Sequence, residues 1–66
     1  MTIRINGTAH SVEPGATVAD ALAAIDAPAR GVAVAVDGAV VRRGSWATHV
    51  LSEGAEVEVL TAVQGG

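Results

Sequence analysis

The sequence predicts an α+β domain, with a mixed sheet of four or five strands and one helix packed across one face of that sheet. Two hairpin signals, Asn6-Gly7 and Asp37-Gly38, each separate two strand-like stretches, because Asn, Asp and Gly tolerate positive φ. Between the hairpins, four apolar residues recur at the spacing of one helix face: Val18, Ala21, Leu22 and Ile25. Near the end, residues 56–61 alternate charged and apolar side chains, which is typical of a half-buried strand.

The first hairpin is predicted to pair two short strands. Residues 2–6 alternate polar and apolar side chains, and residues 8–12 form the return strand, which Pro14-Gly15 ends. Four side chains of this hairpin should face the core: Ile3, Ile5, His10 and Val12. No carboxylate or second histidine lies at a useful spacing from His10, so we interpret it as a partly buried strand residue rather than a ligand or base.

The helix is predicted to begin after Thr17, whose hydroxyl can cap the first free amides. Asp20 lies three residues further on and completes a pattern that resembles a capping box, near the positive end of the helix dipole. The helix should end by Asp26-Ala27, since Pro28 disfavours the α conformation of the residue before it. A helix of about ten residues is marginal in isolation, so its stability must come from packing on the sheet.

The second hairpin begins with Val32–Val36, a run of Val and Ala that predicts a buried strand. Ala39–Val41 forms the return strand after the Asp37-Gly38 turn. Small side chains on both the strand and the helix should allow the two elements to approach closely.

The segment after this hairpin is harder to interpret. The chain leaves the sheet at Arg42-Arg43-Gly44, and Ser45 is expected to cap a short turn. Residues 42–51 show no clear period, which leaves the strand count at four or five. Trp46, the only aromatic residue, or Leu51 should close one end of the core, with the indole N–H bonded to a partner.

The final strand should present Val57 and Val59 to the core and three side chains to solvent: Glu56, Glu58 and Leu60. Leu60 then has two interpretations. It is either an ordinary exposed leucine or part of a partner-binding patch with Glu58 and Ala62, continued by Val63. A right-handed crossover would place this strand centrally and parallel to the first strand, and the resulting order is that of a β-grasp fold.

Composition excludes several function classes. The chain is one small domain, which we assign to residues 1–63, followed by a flexible tail at residues 64–66. With no Cys, it forms no disulfide and no thiolate metal site. A net charge of −3 argues against nucleic acid, and no apolar run approaches the ~20 residues of a membrane span. No signal peptide is visible, so we expect a cytoplasmic protein. A small acidic domain that must insert its end into partners is most simply a monomer alone.

The end of the chain, Ala62-Val63-Gln64-Gly65-Gly66, is the candidate functional segment. Gly65 and Gly66 have no side chains, so the backbone takes any φ, threads a narrow channel and leaves the terminal carbonyl carbon unshielded. Gln64 and Val63 connect this end to the domain. A Gly-Gly end alone is a weak signal, because glycine at a terminus is often a frayed end or a linker. Its significance depends on the fold before it.

Over essentially its whole length the sequence resembles the ubiquitin-like sulfur carriers of thiamine biosynthesis, the ThiS family. Four segments carry the resemblance: Val34–Gly38, Val41–Trp46, Leu51–Val57 and Val63–Gly66. Arg42 stands where the family often has proline, and Gln64 is a less common residue before the two glycines.

The resemblance implies that an E1-like adenylyltransferase, using ATP and magnesium, adenylates the carboxylate of Gly66. A persulfide-bearing sulfur donor would then convert it to a thiocarboxylate, and thiazole synthase would take the sulfur into thiazole. On this interpretation the chain is not an enzyme, and it has no catalytic residue, metal or cofactor of its own.

Two alternatives remain open at this point. Sulfur carriers for molybdopterin or cysteine synthesis look similar but are usually longer and often have aromatic residues in their last strands; the short length and the absence of Phe favour thiamine. The second alternative belongs to another functional class: a ubiquitin-like binding module whose tail is inert or is conjugated to amines. The sequence also leaves open which activating enzyme and which sulfur donor act on the chain.

Overall fold

The computed structural model describes residues 1–28 and 30–61. They form strands β1 (Thr2–Ile5) and β2 (Thr8–Ser11), helix α1 (Val18–Ala24), strands β3 (Val32–Val36) and β4 (Ala39–Val41), a 3-10 turn (Arg43–Ser45) and strand β5 (Glu56–Thr61). The sheet has five strands in the order β2-β1-β5-β3-β4. The predicted α+β fold, one helix against a mixed sheet, is confirmed for this part of the chain, and the open strand count is settled at five.

Strand β5 occupies the centre of the sheet. It runs parallel to β1, with Arg4 beside Glu56 and Ile5 beside Val57. It runs antiparallel to β3 along its full length, from Val32 beside Thr61 to Val36 beside Val57. The last described strand is therefore held from both sides, as the crossover argument predicted.

The two hairpin turns form where the sequence predicted them. Asn6 and Gly7 have φ values of 51° and 82°, and Asp37 and Gly38 have φ values of 49° and 85°. Positive φ at both central residues is the geometry whose twist matches that of the flanking strands. The short polar side chains of Asn and Asp tolerate it with little steric cost.

The core lies between the helix and one face of the sheet. It consists of buried residues from the helix, from every strand except β2 and from the segment before β5: Ile3, Ile5, Val18, Ala21, Leu22, Val34, Val36, Val41, Leu51, Ala55, Val57 and Val59. The inward prediction for Ile3, Ile5, Val57 and Val59 is confirmed, while His10 and Val12 are only half-buried. The sequence interpretation of β3 as a fully buried strand is wrong: Ala33 is exposed and Ala35 half-buried. The helix covers only one face, so β3 alternates.

Helix α1 is capped as predicted. The backbone N–H of Asp20 donates to Oγ1 of Thr17 at 3.3 Å, and the N–H of Thr17 donates to Oδ2 of Asp20 at 2.9 Å. Two further N-terminal amides, of Val18 and Ala19, donate to the carbonyls of His49 and Trp46 at 3.0 Å. With seven residues, α1 is shorter than the predicted ten and falls well below a membrane-crossing length.

The segment from Arg42 to Leu51 departs from the sequence prediction. The predicted turn at residues 46–48 forms, with the N–H groups of Thr48 and His49 donating to the carbonyl of Ser45 at 3.1 and 2.8 Å. The Ser45 side chain makes no capping bond to the described residues, and Ser45 is itself the last residue of the 3-10 turn. Nε1 of Trp46 donates to the carbonyl of Val41 at 2.9 Å, so the expected indole bond is present. Trp46 remains half-buried while Leu51 is only 3% exposed, so Leu51 closes the core and Trp46 packs at its margin.

Candidate functional site

The candidate site begins where β5 ends. Thr61 is the last described residue, and the predicted functional residues Ala62, Val63, Gln64, Gly65 and Gly66 lie outside the described ranges. The predicted boundary between a domain at 1–63 and a tail at 64–66 also lies there and stays a prediction. A chain of five residues spans at most about 18 Å when fully extended. Any enzyme that acts on Gly66 must therefore place its active site within about that distance of Thr61.

Next to this end, the helix-free face of the sheet carries an apolar groove of about 130 Å³. We call it the β5 groove; it is lined by Ala33, Val34, Ala35, Val40, Glu58 and Leu60. Leu60 and Val40 are 70% and 80% exposed and form its two walls. A dry engineered cavity of about 150 Å³ accommodates benzene, so the β5 groove has room for one aliphatic or phenyl side chain.

Strand register explains the shape of the groove. Leu60 lies beside Ala33, Glu58 lies beside Ala35, and Ala35 lies in turn beside Val40. Because side chains alternate between faces, these residues all project from the face opposite the helix. The small side chains of β3 form a low floor between larger residues on β5 and β4.

A second, more open depression of about 400 Å³ adjoins the β5 groove. It is lined by Gly31, Val32, Ala33, Leu60 and Thr61, so Leu60 separates the two depressions. The apolar surface thus continues along β5 to Thr61, the last described residue.

The structure brings together part of the predicted partner patch. Leu60 and Glu58 project from the same exposed face, as the alternation predicted, whereas Ala62 is outside the described residues. Three residues of the groove were not among the predicted site residues: Ala33, Ala35 and Val40. Alternation of Val and Ala in residues 32–36 was an available signal, but it was interpreted as a run buried on both faces.

The charge at the rim of the groove comes from Glu58. Its neighbour on the same face, Glu56, forms an ion pair with Arg4, with 3.5 Å between Oε2 and Nε. No ion pair of Glu58 is present among residues 1–28 and 30–61. Glu58 is exposed and therefore offers an unneutralised carboxylate beside an apolar groove, a combination suited to a partner with both a basic and an apolar side chain.

Asn6 links the first hairpin to β5. Its Nδ2 donates to the carbonyl of Val59 at 3.1 Å, and the N–H of Val59 donates to its Oδ1 at 2.8 Å. The sequence analysis treated Asn6 only as a turn residue, and no local pattern could have shown a contact with a residue 53 positions away.

Across positions 1–28 and 30–61, no three or more His, Cys, Asp or Glu side chains are grouped so that they could hold a metal ion. The same residues contain no buried side-chain polar atom that lacks a hydrogen-bond partner.

Comparisons with known proteins agree with this geometry. The ThiS family model matches residues 3–66. The chain is 30% identical over 66 residues to the sulfur carrier protein ThiS of Escherichia coli (strain K12), with all of both chains covered. The crystal structure of the thiamine biosynthesis protein ThiS from Geobacter metallireducens superposes with a TM-score of 0.82 at 29% identity, again over all of both chains.

A third relative is much longer. The chain is 36% identical over 66 residues to a thiazole synthase of Magnetococcus marinus, and it spans only 20% of that protein's length. The family model covers nearly the whole chain and the Escherichia coli relative matches it from end to end. The chain belongs to the ThiS family.

Proposed function

We propose that this protein is a sulfur carrier of thiamine biosynthesis that holds sulfur as a thiocarboxylate on Gly66. The observation that carries the proposal is the family match, which extends through residue 66 and therefore includes both terminal glycines. The full-length similarity to a sulfur carrier protein and to a thiamine biosynthesis protein supports the thiamine pathway over molybdopterin or cysteine synthesis.

The chemistry begins with an inert group. A carboxylate is a poor electrophile, so an E1-like adenylyltransferase with ATP and magnesium would first join the Gly66 carboxylate to AMP, releasing pyrophosphate. Sulfide would then attack the acyl carbon, AMP would leave, and Gly66 would become a thiocarboxylate. A cysteine persulfide donor would instead displace AMP to give an acyl disulfide that joins Gly66 to the donor. A thiol would then attack the donor's cysteine sulfur, which releases the thiocarboxylate and leaves a disulfide on the donor.

The composition supports this division of labour. The chain has no Cys, so no side chain of its own can hold sulfur as a thiolate or persulfide. The terminal acyl group is then the site where sulfur can be attached. We accordingly assign catalysis, ATP and magnesium to the partner enzyme and no cofactor to this chain, and we place the reaction in the cytoplasm, where ATP is available.

We further propose that partners dock on the β5 groove. The groove has room for one large apolar side chain, Glu58 offers a carboxylate at its rim, and the tail starts next to Leu60. Ala62 would extend this surface toward Val63, Gln64, Gly65 and Gly66. Docking here would bring the partner's active site within the roughly 18 Å that five residues can span from Thr61.

Thiazole synthase is the proposed sulfur acceptor. The Magnetococcus marinus thiazole synthase contains a region of one fifth of its length that is similar to this entire chain. A carrier-like region within that longer protein is consistent with a carrier that delivers sulfur directly to such an enzyme.

The test is intact-mass analysis after incubation with ATP, magnesium, sulfide and a candidate activating enzyme. We expect a mass gain equal to the difference between sulfur and oxygen, and no gain when ATP is left out. A protein that stays unmodified with activating enzymes that modify other ThiS-family carriers would contradict the proposal and favour a binding module without carrier activity.

A further inference from the structure

The pairing of β1 with β5 stops before β5 does. The backbone ladder joins Arg4 to Glu56 and Ile5 to Val57, and the N–H of Asn6 adds one more bond to the carbonyl of Val57 at 2.9 Å. At Asn6 the chain then turns away with a φ of 51°. On this side of the sheet, β5 continues for four residues beyond the last backbone bond.

The side chain of Asn6 takes over where the backbone of β1 ends. Its amide both donates to and accepts from the backbone of Val59, at 3.1 and 2.8 Å, in a half-buried environment. An amide group has the same donor and acceptor as a peptide unit, so it replaces the next backbone partner in the ladder. Without it, both polar backbone groups of Val59 would lose these partners.

The end of β5 is thus supported unequally on its two sides. On the β3 side, Leu60 and Thr61 lie beside Ala33 and Val32 in the regular register. On the β1 side, the Asn6 amide provides the last hydrogen bonds among the described residues. Pairing with β3 holds Glu58 and Leu60 in the β5 groove, whereas on the β1 side the Asn6 amide is what holds β5 at Val59.

We infer that Asn6 is a positioning residue for the reaction at Gly66: its amide fixes the end of β5 and so sets the point and direction from which the tail starts. This inference rests on the proposed carrier function. Losing the amide should impair the chemical step in the activating enzyme more than the docking of the carrier, because a small misplacement of a reacting group is costly.

Two substitutions at Asn6 distinguish its role in the turn from its side-chain hydrogen bonds to Val59. Asn6→Gly keeps a residue that accepts positive φ but removes both side-chain hydrogen bonds. Asn6→Asp keeps the turn and the acceptor for the N–H of Val59, but it sets a carboxylate oxygen against the carbonyl of Val59. Thr17→Ala is the matched control, since it removes the helix cap and lowers stability without touching β5.

The experiment measures sulfur loading by the activating enzyme as a function of carrier concentration, well below the melting temperature of each variant. For Asn6→Gly we expect kcat to fall by about tenfold or more, within the roughly hundredfold cost of a misplaced reactant, while KM for the carrier stays nearly unchanged. Asn6→Asp should give an intermediate kcat, and Thr17→Ala should retain the wild-type kcat. Hydrogen exchange of the Val59 amide should accelerate in Asn6→Gly, with β3 amides unaffected.

Each outcome supports or overturns the positioning role of Asn6. If both Asn6 variants keep the kcat of Thr17→Ala, the positioning role is wrong, and if Asn6→Gly does not fold, Asn6→Asp alone decides by the same comparison. If the wild-type protein takes up no sulfur, the proposed function fails, and the inferred role in that reaction falls with it. The hydrogen bonds between Asn6 and Val59 are then tested by hydrogen exchange in Asn6→Gly: faster exchange at the Val59 amide supports their role in holding β5, and unchanged exchange overturns it.

Discussion

Leu60 on β5 lies directly beside Ala33 on β3, and Leu60 remains 70% exposed. One residue earlier on the same two strands, Val59 lies beside Val34, and both are buried in the core. The alternation of a single strand therefore separates the residue that stabilises the fold from the residue that is available to a partner. We make four testable predictions, which concern the proposed docking surface, the terminal glycines and the segment around Trp46.

Replacing Leu60 with Glu should weaken docking with little effect on folding. Burial of a leucine side chain is worth about 1.5–3 kcal/mol, so we expect the KM or Kd for the activating enzyme to rise by roughly tenfold or more. The free energy of unfolding should change by less than about 0.5 kcal/mol, as is usual for exposed positions. Titration of binding and thermal unfolding measure the two effects.

The control is Val50→Glu, which adds the same charge at an apolar residue that is 60% exposed and lies outside the β5 groove. It should leave binding unchanged. Equal losses of binding in both variants would contradict the groove as the docking surface, and a large fall in melting temperature for Leu60→Glu would place Leu60 in the core.

Replacing Glu58 with Gln should slow association with the activating enzyme, mainly at low salt. Charges at the rim of an interface act chiefly on the association rate, and their effect is screened within about 8–10 Å at 0.1–0.15 M ionic strength. Stopped-flow association rates at several salt concentrations provide the measurement. Glu13→Gln is the control, since it removes the same charge at an exposed loop position; identical salt dependence for both variants would argue against a specific role of Glu58.

Deleting Gly66 should abolish sulfur loading and leave thermal unfolding unchanged. Within residues 1–28 and 30–61, the core lies between Ile3 and Val59, and glycine has no side chain, so removal of Gly66 takes no apolar side chain from this core. Gly65→Val should slow loading strongly, because a branched side chain next to the reacting carboxyl would clash with the walls of a narrow channel in the partner enzyme. Gln64→Ala should have a much smaller effect. Intact mass and melting temperature together test this, and a deletion variant that unfolds would contradict the separation of body and tail.

Replacing Trp46 with Phe should destabilise the protein by about 1 kcal/mol. The ring would still pack at the edge of the core, but the hydrogen bond from Nε1 to the carbonyl of Val41 would be lost. A loss of this size lowers the melting temperature of a domain of 60–100 residues by about 4–8 °C. Circular dichroism measures the shift, and sulfur loading below the transition should stay at the wild-type level. An unchanged melting temperature would mean that the indole bond contributes nothing to stability.

Several elements could be predicted from the sequence because their causes are local. The Asn6-Gly7 and Asp37-Gly38 turns depend on residues that accept positive φ, and the capping box depends on two residues three positions apart. The central place of β5 followed from the right-handed crossover after β2, which puts the last strand beside β1. The glycines at the end of the chain follow from the sequence alone, as does the absence of Cys.

Other features depend on residues that meet only when the chain is folded. The segment around Trp46 has no periodic pattern, because it is held by the N-terminal amides of α1 and by the carbonyl of Val41 rather than by its own propensity. The β5 groove requires three strands in register, with small residues on the middle one. The bonds between Asn6 and Val59 join residues at opposite ends of the chain. Local sequence determined the turns, the helix cap and the Gly65-Gly66 pair. Packing of distant strands decided which surface lies beside the end of β5 and what holds that strand, because those contacts join residues that are far apart in the chain.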